Sequence, residues 1–469
     1  LSVLALFFLF PGIAQAGHYI VGPDAATSTT WSECEWSNYP DDPTQDPSMD
    51  PCHHNTAMAE AKAGDTVYFL DGRYELNNAL KPENSGSAGN RIIFRSMHPR
   101  QAVLFRDNSP LMISTLEAYD PDYSANPHYV TFDGFTLRNS DRDDLFSPQI
   151  TLDGKNHVVK NCYFDGHAID FSKTGYGNHT AFYVPKGTTN SVIKNNYIEG
   201  YSGNEVDIHV GGTCIYGGEN MEITRNTVVD SNTGIWFKHK VTNSTISKNL
   251  IKNTSVVGIH IGDANSNLMD WKNHKVYQNI VVGGERASIR IDNMSDADSN
   301  DDGNYDGEPD INYFYDMKVY NNVVYDNRSG IKFEDKYIKD SHIYNNISVK
   351  NEKHALMVHD NSDKYSYIDH NLYHEWDFDD DGDNFAYDVE TFADWQNAGW
   401  GANSLNGIAP QFINPGGPDP QDYKLQPDSP ARNAGIDRQD HDNDGDTTEN
   451  INMGAYITGN ETIAYTTPP

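Results

Sequence analysis

A chain of 469 residues with 68 acidic and 34 basic side chains carries a formal net charge of −34. That balance excludes nucleic acid as a partner, because phosphate binding needs a basic face, and it implies a strongly solvated surface. Length alone would allow two or three domains, but repetitive β folds run this long as one unit.

The chain opens on "LSVLALFFLFPGIAQAG", an apolar run ending in the Ala14-Gln15-Ala16 cleavage pattern. Residues 1–16 read as a secretory signal peptide lacking its Met and charged leader, too short to span a membrane. The mature chain is expected to begin near Gly17, outside the cytoplasm (extracellular or periplasmic), as a monomer with no membrane partner. Cys34 and Cys52 flank a Pro/Asp-rich loop, so an exported chain is expected to join them in a disulfide. Cys162 and Cys214 lie in apolar strand patterns and read as buried small hydrophobes. "AMAEAKAGDTVYFLDGRYEL" then predicts a short helix, a turn at Gly64-Asp65 and a first strand, with residues 17–100 forming an N-terminal cap and first coils.

From 101 to 373 a unit [Val/Ile]-x-x-Asn recurs: Val158–Asn161, Ile193–Asn196, Ile223–Asn226, Ile246–Asn249, Val276–Asn279, Val319–Asn322, Ile343–Asn346 and Ile368–Asn371. The shortest gaps between successive Asn residues are 23 to 25. A second short alternating strand follows most units: "AFYVPK" (181–186), "GIWFKH" (234–239), "GIHIGD" (258–263), "SIRIDN" (288–293), "GIKFED" (330–335) and "ALMVHD" (355–360). Coils of this length, each with short strands and an Asn at a fixed turn, predict an all-β chain: a right-handed parallel β-helix of one domain, with an N-terminal helical cap and a C-terminal capping region over 374–469. The repeated Asn is a structural element, bonding the turn backbone and stacking coil on coil.

Three loops share the spacing Asp-x-[Asp/Asn]-x-Asp-Gly: Asp298, Asn300, Asp302; Asp377, Asp379, Asp381; and Asp440, Asp442, Asp444. Alternating oxygen ligands ahead of a glycine turn suit Ca²⁺. No loop has Glu at the twelfth position, although Asp388 stands there in the second. Structural Ca²⁺ is expected; a solvated acidic loop is the alternative. "TFADWQNAGW" (391–400) predicts a short helix with Trp395 in the cap. The end, "DYKLQPDSPARNAGID…NMGAYITG", reads as a terminal coil and a tail covering the far end.

"AKAGDTVYFLDGRYEL", the Asn coils and the closing "DYKLQPDSPARNAG…MGAY" together resemble the secreted bacterial β-helix polysaccharide lyases, namely the alginate lyase and chondroitinase-B-like family and the β-helix pectate lyases. The resemblance implies cleavage of an acidic polysaccharide such as alginate. Neither the Glu-x-Lys pattern typical of the first family nor the Asp-Asp pair of the second stands at a matching place, so no catalytic residue is carried over by motif.

Registering the second strand gives an outward file of Tyr183, Trp236, His260, Arg290, Lys332 and Met357. Beside it lie Lys238 and Asp292, then Lys186, His239 and Lys240. Such a file reads as a cationic groove for a linear anionic sugar chain. Trp236 would stack on a ring, and Lys186, His239, Lys240 and Lys332 would hold acid groups. β-Elimination suits it: a base removes the C5 proton of a uronic acid while a cation neutralises the carboxylate. Lys238 is the first choice for base, with His260 and Tyr183 as alternates for base or acid, and Arg290 as the neutralising cation. Four alternatives stay open. The cations can simply pair on the surface with Asp292, Glu334 and Asp335. Two carboxylates among Asp263, Asp292, Glu334 and Asp335 can hydrolyse a glycan, or Asp263 and Asp292 can hold a catalytic Ca²⁺. Or the protein can bind glycan without cleaving it.

Overall fold

The computed structural model describes residues 17–23, 30–36, 50–106, 111–115, 126–139, 148–167, 180–201, 211–215, 217–238, 241–262, 271–292, 314–333, 338–358, 365–375, 391–440, 447–461 and 463. The chain winds as a parallel β-helix. One sheet stacks twelve parallel strands, from His18–Val21 through Val158–Lys160 to Tyr365–Asp369. A second runs from Gly72–Glu75 through Tyr163–Asp165 to Leu405–Asn406, and a third from Ile113–Ser114 through Thr180–Val184 to His354–Val358. The second and third join where one long strand serves both, as in Thr227–Phe237 and Leu250–Ile261. A five-stranded ladder of two-residue strands, Gly218–Glu219 to Ile338–Lys339, closes the coil.

Alternation decides what enters the core. Val159, Ile193, Ile223, Ile246, Val276, Val319, Ile343 and Ile368 are register partners on successive coils of the first sheet, and all are buried. Each such side chain contributes about 1.5–3 kcal/mol of burial.

The turn after each first-sheet strand explains the repeated Asn. Asn196, Asn226, Asn249, Asn279, Asn322, Asn346 and Asn371 form a buried ladder in which each Oδ1 accepts the side-chain amide of the Asn one coil earlier. The residue before each rung has positive φ, between 52° and 56° from Asn195 through Asn345. The ladder holds that left-handed turn in place for Arg225, Lys248 and Gln278 as well as for Asn. The first unit is registered one residue differently from the repeat read in the sequence: Val159, not Val158, partners Ile193. Asn161 is therefore the left-handed turn residue (φ 58°), and Cys162 takes the ladder position, its N–H donating to Asn196 Oδ1 at 3.0 Å. Cys162 is buried and free.

At the N-terminal end the helix His54–Glu60 buries Ala57 and Met58 in the main core. Gly64 turns the chain at φ 99°, and Asp65 accepts from the N–H groups of Gly17 and Lys62. Cys34 and Cys52 are bonded to each other, their Cα atoms 5.4 Å apart. At the other end the helix Phe392–Asn397 places Trp395, 1% exposed, under the last coil.

The tail beyond it does more than cover that end. It returns along the flank: Gln278 donates to Ala455 O, Asn321 to Asn452 O and Gly454 O, and Asn345 to Ile436 O. Phe412, Tyr423, Leu425, Met453 and Tyr456 cover Leu250, Ile280, Val323, Ile347 and Leu372, the outward apolar file of the second sheet. Among the described residues no helix is long and apolar enough to cross a membrane.

Candidate functional site

In the third sheet Ile235 and Phe237, Ile259 and Ile261, Ile289 and Ile291, and Ile331 and Phe333 point inward and are at most 2% exposed. The residue between each pair therefore leaves the core. These residues are Trp236, His260, Arg290 and Lys332, direct register partners on four successive coils, with Met357 next. Equivalent positions stand about 4.8 Å apart. Tyr183 is not the immediate neighbour of Trp236, as the sequence repeat suggested. The strand Gly211–Ile215 intervenes, with Cys214 in the file.

The file is a closed stack. The indole of Trp236 and the imidazole of His260 stack with centroids 5.3 Å apart and planes 16° apart. Trp236 Nε1 donates to Gly262 O at 2.8 Å. Lys238 Nζ lies 4.6 Å from the indole centroid, a cation–π contact. Trp236, Lys238 and His260 are 2%, 5% and 3% exposed. Trp236 is thus not the open sugar platform that an outward strand position implied. Flat rings on neighbouring coils lie at stacking distance and cover one another.

Asp292 is the centre of the arrangement. Its Oδ1 accepts from His260 Nε2 at 2.7 Å and its Oδ2 from Arg290 Nη2 at 2.6 Å, and the residue is 4% exposed. Burial alone would raise its pKa; Arg290, His260 and Lys332 together outweigh burial and hold the carboxyl below its ordinary 3.8. Gly262 is needed beside it, since a Cβ there would collide with the Asp292 carbonyl oxygen. The sequence offered Asp292 as a hydrolytic acid or Ca²⁺ ligand. With each oxygen already engaged by a guanidinium or imidazole donor, it serves instead as the buried counter-ion of Arg290 and the hydrogen-bond acceptor of His260. Arg290 and Asp292, two apart and so on one face, were the signal for that pairing.

Arg290 keeps 23% of its side chain exposed, and Lys332 and Tyr183 are also partly exposed. Lys186 is exposed and lies beyond the end of Thr180–Val184, off the strand that carries the file. His239, Lys240, Asp263, Glu334 and Asp335 lie outside the described residues, as do Asp298, Asn300, Asp302, Asp377, Asp379, Asp381, Asp442 and Asp444; Asp440 is described, with φ 51°. Among the described residues no three His, Cys, Asp or Glu side chains are grouped to hold a metal ion.

A family model described as a right handed beta helix region matches residues 124–305. No curated protein matches the chain. Solved structures similar to it include the PL6 family alginate lyase AlyGC, at 12% identity and TM-score 0.45, covering 79% of this chain and 55% of that one. Pectate lyase Pel9A is similar at 13% identity and TM-score 0.46, covering 94% of this chain and 96% of that one. A rhamnogalacturonan lyase is similar at 13% identity and TM-score 0.49, covering 85% and 90%. The protein is a right-handed parallel β-helix.

Proposed function

We propose that the protein is an exported lyase that cleaves a uronic-acid-containing polysaccharide by β-elimination. The observation that carries this reading is the register of Arg290 and Lys332 on successive coils of the outer face, partly exposed, beside the Trp236–His260 stack. Cationic groups repeated along a solenoid axis suit a linear polyanion, whose carboxylates they can pair with. Lys238 and His260 are not assigned as bases: both are enclosed, Lys238 lies over the indole, and His260 Nε2 is engaged by Asp292. Trp236, Lys238 and His260 form one stack, and His260 shares Asp292 with Arg290.

The Asp loops at 298–302, 377–381 and 440–444 are proposed to bind structural Ca²⁺, on the strength of their alternating oxygen ligands and glycine turns. The Cys34–Cys52 bond supports export to an oxidising compartment.

The test is a panel of alginate, pectate, chondroitin-like and sulfated algal polymers, with and without EDTA. Ultraviolet absorbance follows the unsaturated 4,5-bond, and reducing ends are counted in parallel. A lyase gives both signals. Reducing ends without the absorbance identify a hydrolase and sink the proposal. The enclosure of Trp236, Lys238 and His260 favours one rival, a glycan-binding β-helix without catalysis; polymer binding with neither signal would establish it.

A further inference from the structure

The outer face of the second sheet carries a charged cluster that the Arg290 file does not include. Arg138, Asp165 and Glu199 are register partners on three successive coils. Two carboxylates directly opposite on neighbouring strands repel, and here three groups compensate. Arg138 Nε donates to Asp165 Oδ2 at 2.8 Å, and the Tyr163 hydroxyl donates to Glu199 Oε1. His167 Nδ1 lies 3.3 Å from Asp165 Oδ1 and 4.0 Å from Glu199 Oε1. The His167 backbone N–H also donates to Asp165 Oδ1, at 3.1 Å.

The ring is seated on glycine backbone. Gly200 has φ 80°, and a Cβ there would lie 2.8 Å from the imidazole. The carboxylates lie beneath, with side chains 11% and 17% exposed, while His167 and Arg138 lie above, 56% and 49% exposed. Nδ1 faces Asp165 Oδ1, so in the neutral ring the proton sits on Nδ1 and the lone pair on Nε2, on the side away from Asp165. The tail covers the second sheet's outward file only from Leu250 onward, where it is apolar. The charged part of the same sheet stands on earlier coils.

Building on the lyase reading above, we infer that His167 is the base of the elimination, with Arg138 pairing with the carboxylate of the uronic acid it attacks. His167 Nε2 takes the C5 proton. The C5–H electron pair forms the C4–C5 double bond, the C4–O bond breaks, and the departing oxygen takes a proton from solvent. Asp165 and Glu199 stabilise the imidazolium, with Asp165 as a positioning residue that fixes the tautomer. The file of Arg290 and Lys332 then holds the polymer on later coils.

The experiment uses the full chain and whichever panel polymer it cleaves. H167Q, a change at a half-exposed side chain, is expected to lower kcat about a hundredfold with KM nearly unchanged and melting unaltered. R138A is expected to raise KM, and D165N to lower kcat and displace the acid limb of the pH profile, which a merely structural role would leave in place. Wild-type kcat/KM is expected to rise with pH along a limb for loss of one proton, as a general base requires. Wild-type kcat in H167Q, or a wild-type profile that does not rise with pH, overturns the assignment and leaves the lyase reading standing. Absence of unsaturated product from every polymer overturns both.

Discussion

Asn249 Oδ1 accepts two bonds from Asn226 on the preceding coil, one from its backbone N–H at 2.8 Å and one from its side-chain amide at 3.1 Å. Asn249 Nδ2 in turn donates to Asn279 Oδ1 and to Ile223 O. One side chain thus satisfies polar groups on the coils to either side, all at a fully buried turn. Asn249→Ala leaves several of them without partners, and each buried orphan costs about 1–3 kcal/mol. The expected loss is about 3 kcal/mol, read as a lower denaturation midpoint in urea, whereas exposed Lys186→Ala shifts the midpoint little. A midpoint unchanged in the Asn249 variant would show that the ladder is dispensable.

Asp292 predicts a pH dependence at the acid end. Its carboxyl is held below 3.8 in the folded protein, so its ionised form stabilises the fold above that value. That contribution disappears as the pH falls through the lower folded value. Asp292→Ala removes the counter-ion of partly buried Arg290 and the partner of buried His260, and is expected to cost about 3–5 kcal/mol, measured by denaturation near neutral pH. The Arg290→Ala, Asp292→Ala double variant should recover part of that loss, as a double-mutant cycle would show.

The buried histidines act over a milder range. His157 and His274 lie in the core, and burial foremost lowers both to about 4 from an ordinary 6.5. Between those values the unfolded chain binds more protons than the folded one, so stability is full above 6.5 and falls as pH drops toward 4. The melting temperature is expected to decline over that window. His274→Gln should flatten the slope, and an unchanged slope in that variant would count against the histidine as its source.

The returning tail predicts a solubility effect. Without residues 405–469, the outward file of Leu250, Ile280, Val323, Ile347 and Leu372 faces water. A contiguous apolar patch of that kind drives association. The truncated chain is expected to bind a hydrophobic dye and to aggregate, and a monomeric, dye-negative truncation would disprove the covering role.

Arg290→Ala is expected to weaken binding of the anionic polymer and to reduce its salt dependence, because a guanidinium on the outer face contributes mainly by charge. Gel retardation in the candidate polymers at two salt concentrations reads this directly.

The fold was legible because its determinants are local and repeated. Period-two alternation placed Ile235, Ile259, Ile289 and Ile331 inward on successive coils, and Asn at one turn placed the coils in register. The repeat misled by one residue at Asn161, where Cys162 stands in the ladder, because a single Asn column cannot say which of two adjacent turn residues is the rung. The strand pattern around Cys214 was legible, but its place in the file between Tyr183 and Trp236 was not, because it falls outside the Asn-unit segments that were registered. The sequence thus determined the solenoid and the order Trp236, His260, Arg290, Lys332 along one wall. Only the tertiary structure decided that Trp236 is enclosed, that Asp292 joins His260 to Arg290, and that Arg138, Asp165, Glu199 and His167 meet. Those contacts are made between coils and around bends, where distance in space bears no fixed relation to distance along the chain.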